Sequence, residues 1–166
     1  MKPPESLVSL FQPWNDFYSH SKAAATIVIF LHVGGLLLAG GFAIAADRAT
    51  IRSMGRSPDT RTAQLKELAT IHRWVITGLV VVIVSGLGLL ASDFETFWGS
   101  WIYWLKMALV AVLLINGLQM TRVEKSLELD PSETSPKWSA LHRTALTSLT
   151  LWFVTTFLGV ALANFA

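Results

Sequence analysis

The chain contains no cysteine among its 166 residues, and only 14% of them are charged. Without cysteine it forms neither disulfides nor thiolate-ligated centres such as iron–sulfur clusters. Low charge together with 52% apolar residues argues against an ordinary soluble domain. Charge is also missing from three long stretches, which are residues 23–46, 74–92 and 144–166. These absences place the sequence among integral membrane proteins.

Four apolar stretches are long enough to cross a bilayer, since a hydrocarbon core of ~30 Å requires about 20 helical residues. The predicted spans are residues 23–46, 72–91, 100–120 and 143–164. We therefore predict an all-α fold, an antiparallel up-down-up-down four-helix transmembrane bundle. Residues 1–166 form a single membrane domain, in which residues 1–22 are a short interfacial segment. The length of the first span favours a retained helix over a cleaved signal peptide.

Basic residues are concentrated in two of the connections between the spans. Residues 47–73 and 122–143 together hold ten lysines and arginines, whereas residues 1–22 hold two. The positive-inside rule places both basic loops in the cytoplasm. The protein is then a multi-pass membrane protein with both chain ends outside. Because topology explains the basic loops, we expect no nucleic-acid partner.

Aromatic residues mark the outer interface in the same orientation. Trp98, Trp101 and Trp104 cluster where the third span begins, as amphipathic rings do at headgroup level. Apolar residues between Leu7 and Tyr18 recur at helical spacing, which predicts a short interfacial helix. Pro13 favours the alternative, an irregular tail anchored by its aromatic residues.

The second and fourth spans begin with the same pair of residues, His72-Arg73 and His142-Arg143. Alternate helices of such a bundle stand on its diagonal, about 13 Å apart, a gap that a macrocycle between two imidazoles can fill. We therefore predict His72 and His142 as axial ligands of haem b, with Arg73 and Arg143 near its propionates. The alternative is that both pairs simply mark the cytoplasmic interface.

Two ionisable residues lie deeper in the membrane. His32 stands about ten residues into the first span and is a candidate ligand of a second haem or a proton-handling group. Lys106 lies in the same half of the bilayer, and we predict a role in binding a propionate or an acidic substrate group. The alternatives are a hydrogen bond from His32 to a threonine or Asn116, and snorkelling of Lys106 to the interface.

The first three spans resemble a bacterial group of four-helix membrane proteins, the HemJ-type protoporphyrinogen oxidases and the CopD-like proteins. The matching residues are His32 with Gly35 and Gly41, Thr77-Gly78 with Gly86, and Trp101-x-x-Trp104-x-Lys106. The resemblance implies bound haem b, essential roles for His32 and Lys106, and a location in the bacterial inner membrane. The HemJ type usually has histidine at the position of Trp104. The pair His72 and His142 instead resembles the ligands of diheme b-type cytochromes.

Three functions follow. The first is electron transfer or redox sensing by a protein with one or two haems b, whose partner is a redox protein or a quinone. The second is a HemJ-like oxidase, so whether the chain is an enzyme stays open. The third is a structural subunit or small transporter with a polar network of His32, Lys106 and Asn116. Small-residue patterns such as Gly35-x-x-x-Ala39 also suit a homodimer or a larger membrane complex.

Overall fold

The computed structural model of the protein describes residues 3–129, 132 and 135–165. This part of the chain contains six α-helices and no strand, which confirms the all-α prediction. The helices are α1 (Glu5–His20), α2 (Lys22–Ser53), α3 (Pro58–Ser92), α4 (Phe94–Gly99), α5 (Trp101–Leu129) and α6 (Lys137–Phe165).

Helices α2, α3, α5 and α6 are long and apolar enough to cross a membrane, as predicted. Their outer surfaces fit this environment, because Phe30, Leu37 and Phe157 are at least 70% exposed. Large apolar side chains at such exposure face acyl chains in a bilayer. The protein is therefore a membrane protein with four spanning helices.

The spanning helices are longer than the predicted spans, at 29 to 35 residues each. The apolar runs end at the first charged residue, whereas the helices continue through polar residues until a glycine or proline intervenes. Pro58 opens α3, since proline at the first helical position loses no intrahelical hydrogen bond. We call the end of the bundle where α2 ends and α6 begins the loop end. The parts of the helices that extend past the apolar runs at this end carry buried polar residues.

The four spanning helices form an antiparallel bundle. His32 of α2 lies opposite Ser85 of α3, and Ala39 lies opposite Gly78, so residue numbers rise along one helix as they fall along the other. Helix α2 packs against α3 and α6, and α5 packs against α6. The pairs α2/α5 and α3/α6 are thus diagonal, as the up-down-up-down topology predicts. Helices α3 and α5 approach each other at few points, and we call this contact the α3–α5 seam.

Small residues allow the backbones of α2 and α3 to touch. A Cβ atom on Gly78 would lie 2.6 Å from the backbone nitrogen of Ala39, and one on Gly35 would lie 3.1 Å from the Gly78 carbonyl oxygen. This pattern is typical of close helix packing in membranes. The Gly35-x-x-x-Ala39 pattern therefore serves a contact within the chain. Gly41, in contrast, faces open space, because a Cβ atom added to it would have no neighbouring atom within 4 Å.

The N-terminal segment is helical despite Pro13, as the spacing of its apolar residues predicts. Helix α1 packs against α3, where the indole Nε1 of Trp14 donates a hydrogen bond of 2.8 Å to the Gly88 carbonyl. Between the second and third spans the sequence predicts a plain turn. The structure has the short helix α4 there, whose first turn is capped by the Asp93 side chain.

Candidate functional site

Two groups of polar side chains face the interior of the bundle. The first, here called the lysine group, comprises His32, Ser85 and Lys106. The second, the carboxylate group, comprises Asp47, Thr50, His72, Glu124 and Ser148. Ionisable residues inside a membrane bundle are costly and by default indicate function. Both groups are therefore candidate sites.

In the lysine group, His32 is held by a residue on the neighbouring helix. Its Nδ1 lies 3.1 Å from the Ser85 hydroxyl oxygen, which also lies 2.6 Å from the Val81 carbonyl. We assign the single hydroxyl hydrogen to the nearer carbonyl, so that the Nδ1–H of His32 donates to the serine oxygen. The Val82 carbonyl is a backbone hydrogen-bonding neighbour of the same imidazole. Its Nε2 then carries the free lone pair. Among the described residues, no hydrogen bond involves this Nε2.

The structure brings Lys106 toward His32, although the two residues belong to diagonal helices. Lys106 is half-buried and within electrostatic range of the imidazole. Its ammonium packs against Gly159 of α6, where a Cβ atom would lie 3.4 Å from Nζ. The side chain thus points along the interior surface of α6.

Asn116 does not join this group. Its side-chain amide donates a hydrogen bond of 2.9 Å to the Thr144 carbonyl and so links α5 to α6. The sequence predicts Asn116 or a threonine as a hydrogen-bonding partner of His32, whereas the partner in the structure is Ser85. Asn116 is buried, and its observed role is to stabilise the pairing of two helices.

In the carboxylate group, an imidazole and a carboxylate bridge the α3–α5 seam. Nδ1 of His72 on α3 lies 3.2 Å from Oε2 of Glu124 on α5. Glu124 is 5% exposed, and its other oxygen has no hydrogen-bond partner. The carboxylate fixes the orientation of the His72 ring and leaves the Nε2 atom uncommitted.

The remaining members of the carboxylate group lie on α2 and α6. Asp47 and Thr50 are 2% and 0% exposed and occupy one face of α2. Oδ2 of Asp47 and Oγ1 of Thr50 have no hydrogen-bond partner. The Ser148 hydroxyl of α6 lies beside the Asp47 carboxyl, and Glu124 is within its electrostatic range.

The predicted ligand pair, His72 and His142, is not brought into contact in the described part of the chain. His142 is half-buried on α6, directly after Leu141. Leu68 and Leu141 are each 1% exposed and belong to one core cluster to which all four spanning helices contribute. Axial ligation by both histidines therefore stays a prediction.

The two arginines of the repeat are exposed. Arg73 and Arg143 follow the histidines and lie on the outside of the helices. In this position their guanidinium groups are free to reach an anionic group at the surface of the bundle. Their predicted contact with propionates stays a prediction.

Comparison of the chain with protein-family models, with curated proteins and with solved structures finds no match. Its function must therefore be argued from the geometry of the two groups. Over the described residues, no three histidine, aspartate or glutamate side chains are arranged to hold a metal ion. A cofactor that brings most of its own ligands, as a porphyrin does, requires one or two protein ligands.

Asp47 and Glu124 are absent from the residues predicted from the sequence, because both lie just beyond the predicted spans. Extending the helical periodicity past the end of the third predicted span identifies Glu124 as an inward-facing residue. It follows Asn116 and Met120 at intervals of four residues, and all three are buried.

Proposed function

We propose that the protein is a b-type haem protein of the membrane that transfers electrons or senses the redox state of a partner. One observation carries the proposal. His32 and His72 both face the bundle interior with Nδ1 held by a side chain of a neighbouring helix. Histidines that ligate metals almost always have this arrangement, which fixes the ring and directs the other nitrogen to the metal.

The surroundings of His72 fit an iron ligand. Its partner is the carboxylate of Glu124, and a carboxylate at Nδ1 makes imidazole a stronger donor. A planar group entering the α3–α5 seam would displace few contacts, since these two helices touch at few points. Ligation by His142 as well would require Leu68 and Leu141 to give way.

The haem supplies one-electron chemistry when bound, and the residues of the chain hold and orient it. His72 would serve a haem near the loop end, and His32 a second haem in the other half of the bundle. Arg73 and Arg143 would bind propionates. Two such levels would carry electrons across the membrane between a redox protein and a quinone, within a monomer, a homodimer or a larger complex.

Protein purified from haem-replete cells should be coloured, with a Soret band that sharpens on reduction by dithionite. A pyridine haemochrome assay should identify haem b and count one or two per chain. A colourless, folded preparation would reject the proposal. That result would favour the third function, a structural subunit or small transporter in which the polar side chains form a network between helices.

The proximity of Lys106 to His32 favours a second candidate, a HemJ-like oxidase. The lysine would bind an acidic group of a porphyrinogen beside the haem held by His32. A bacterial strain lacking protoporphyrinogen oxidase distinguishes the candidates. Growth restored by this chain supports the oxidase, whereas a coloured protein that fails to restore growth supports electron transfer.

We further propose that the protein lies in a bacterial inner membrane with both chain ends outside. The absence of native cysteine allows single-cysteine labelling with a membrane-impermeant maleimide. Gly55 and Gly99 form a matched pair, because neither has an atom within 4 Å of an added Cβ. Intact cells should label Gly99→Cys at once and Gly55→Cys only after permeabilisation. The reverse labelling pattern would show that both chain ends lie in the cytoplasm.

A further inference from the structure

Asp47 is a buried acid for which the described residues supply no cation. Its side chain is 2% exposed, and Oδ2 receives no hydrogen bond. The one ion pair found in the described part of the chain joins His72 to Glu124. An isolated carboxylate in such surroundings is strongly unfavourable, so the group either holds a proton or binds a cation.

The groups around Asp47 favour the proton. From α5, Glu124 lies within electrostatic range of both Asp47 and Glu128. From α6 the neighbour is the neutral Ser148 hydroxyl, and Arg48 on α2 itself is exposed. Two partly buried histidines also lie at this end, His72 on α3, which is engaged by Glu124, and His142 on α6. Two partly buried cations lie there as well, and each donates to a backbone carbonyl: Arg61 to Met54 and Lys137 to Ser126. The charged neighbours of Asp47 are thus mainly acids, which penalise a further negative charge.

Thr50 supplies a second, independent observation. It is fully buried one helical turn after Asp47, on the same face of α2, and its hydroxyl has no partner. Buried polar atoms are nearly always hydrogen-bonded. Oδ2 of Asp47 and Oε1 of Glu124 accept no hydrogen bond, and the Thr50 hydroxyl neither donates nor accepts one. A proton on the Asp47 carboxyl adds a donor to this region.

A route for exchange lies at the α3–α5 seam. A groove of about 250 Å³ opens there, lined by Thr62, Leu65, Lys66, Leu127 and Glu128. Glu128 follows Glu124 by one helical turn, so the groove reaches from the surface to within a turn of the buried carboxylate group. Water in this groove would reach Glu128, one helical turn from the buried Glu124.

We propose that Asp47 is a proton-binding site of the bundle, in exchange with the solution at the loop end through the α3–α5 seam. A proton from water joins the carboxylate to form a carboxylic acid, and no electron is transferred. The site needs no haem, so its test is independent of the function proposed above.

Infrared spectroscopy of the purified full-length protein tests the site directly. At neutral pH, when exposed carboxyls are ionised, the protein should show the C=O band of a protonated carboxyl. Asp47→Asn, which is isosteric and neutral, should remove that band. Asp59→Asn, at an exposed position in the first turn of α3, should leave it unchanged. Identical spectra for the wild type and Asp47→Asn would overturn the proposal.

Two further measurements use the wild type and do not depend on how a variant folds. Incorporation of ¹³C-carboxyl aspartate should shift the band, and Asp47 is the buried one among the aspartates that the structure describes. Transfer to D₂O should shift it again within minutes if the site exchanges with solution. A band that does not shift in D₂O contradicts the proposal that Asp47 exchanges its proton with the solution. A band that sodium ions remove shows a cation site in place of a proton site.

Discussion

Replacing His72 by alanine should lower the haem content by one per chain, because the inner-facing imidazole held by Glu124 is lost. In a one-haem protein the preparation becomes colourless, and in a two-haem protein the haemochrome count falls by half. His20→Ala is the matched control. His20 is exposed on α1, with Nδ1 2.7 Å from the Asp16 carbonyl, and its loss should leave the spectrum unchanged.

A second variant separates ligation from general damage to the bundle. Glu124→Gln keeps the shape of the partner but removes its charge, so the haem should stay bound with a more positive reduction potential. Potentiometric titration of the Soret band measures the change. Full haem content in His72→Ala would contradict the assignment, and an unchanged potential in Glu124→Gln would show that the carboxylate does not act on the iron.

Gly78→Val should destabilise the bundle by about 3 kcal/mol, because an added Cβ meets the backbone of Ala39 rather than a flexible side chain. The backbones of α2 and α3 must separate to admit it. Gly41→Val is the control, since Gly41 lies on α2 near the same level and faces open space. Unfolding in detergent, followed by circular dichroism, measures the difference between the two variants.

Two results would contradict this expectation. Equal stability of Gly78→Val and the wild type would show that the close contact of α2 and α3 contributes little. Loss of stability in Gly41→Val comparable to that in Gly78→Val would show that the outer face of α2 is itself packed, as in the homodimer that the small-residue patterns allow. Sedimentation of the Gly41→Val variant identifies that case.

The sequence predicted the number and order of the spanning helices because apolar length is a strong physical requirement of the bilayer. The ends of the helices were predicted poorly. Polar residues such as Arg61 and Glu124 interrupt an apolar run. Their helix propensity, however, is as high as that of the apolar residues in the run. The short helix α4 escaped prediction because its six residues are too few for a periodic pattern.

The members of the two polar groups were predicted in part. The sequence singled out His32, Lys106 and His72 because ionisable residues stand out in apolar segments. Their partners were not found, since Ser85 and Glu124 are ordinary in sequence and gain significance only from the register of the packed helices. That register depends on where glycines allow two helix backbones to touch. The sequence of one helix alone does not reveal which residues of the other helix it contacts.

The order of packing along the chain has a consequence for biosynthesis. The most extensive helix contacts join neighbours in sequence, α2 with α3 and α5 with α6. Each helical hairpin can thus be completed in the membrane before the next is synthesised, and the contact of α2 with α6 closes the assembly last. Such local topology favours rapid folding, and it leaves the α3–α5 seam as the loosest contact between neighbouring spanning helices of the finished bundle.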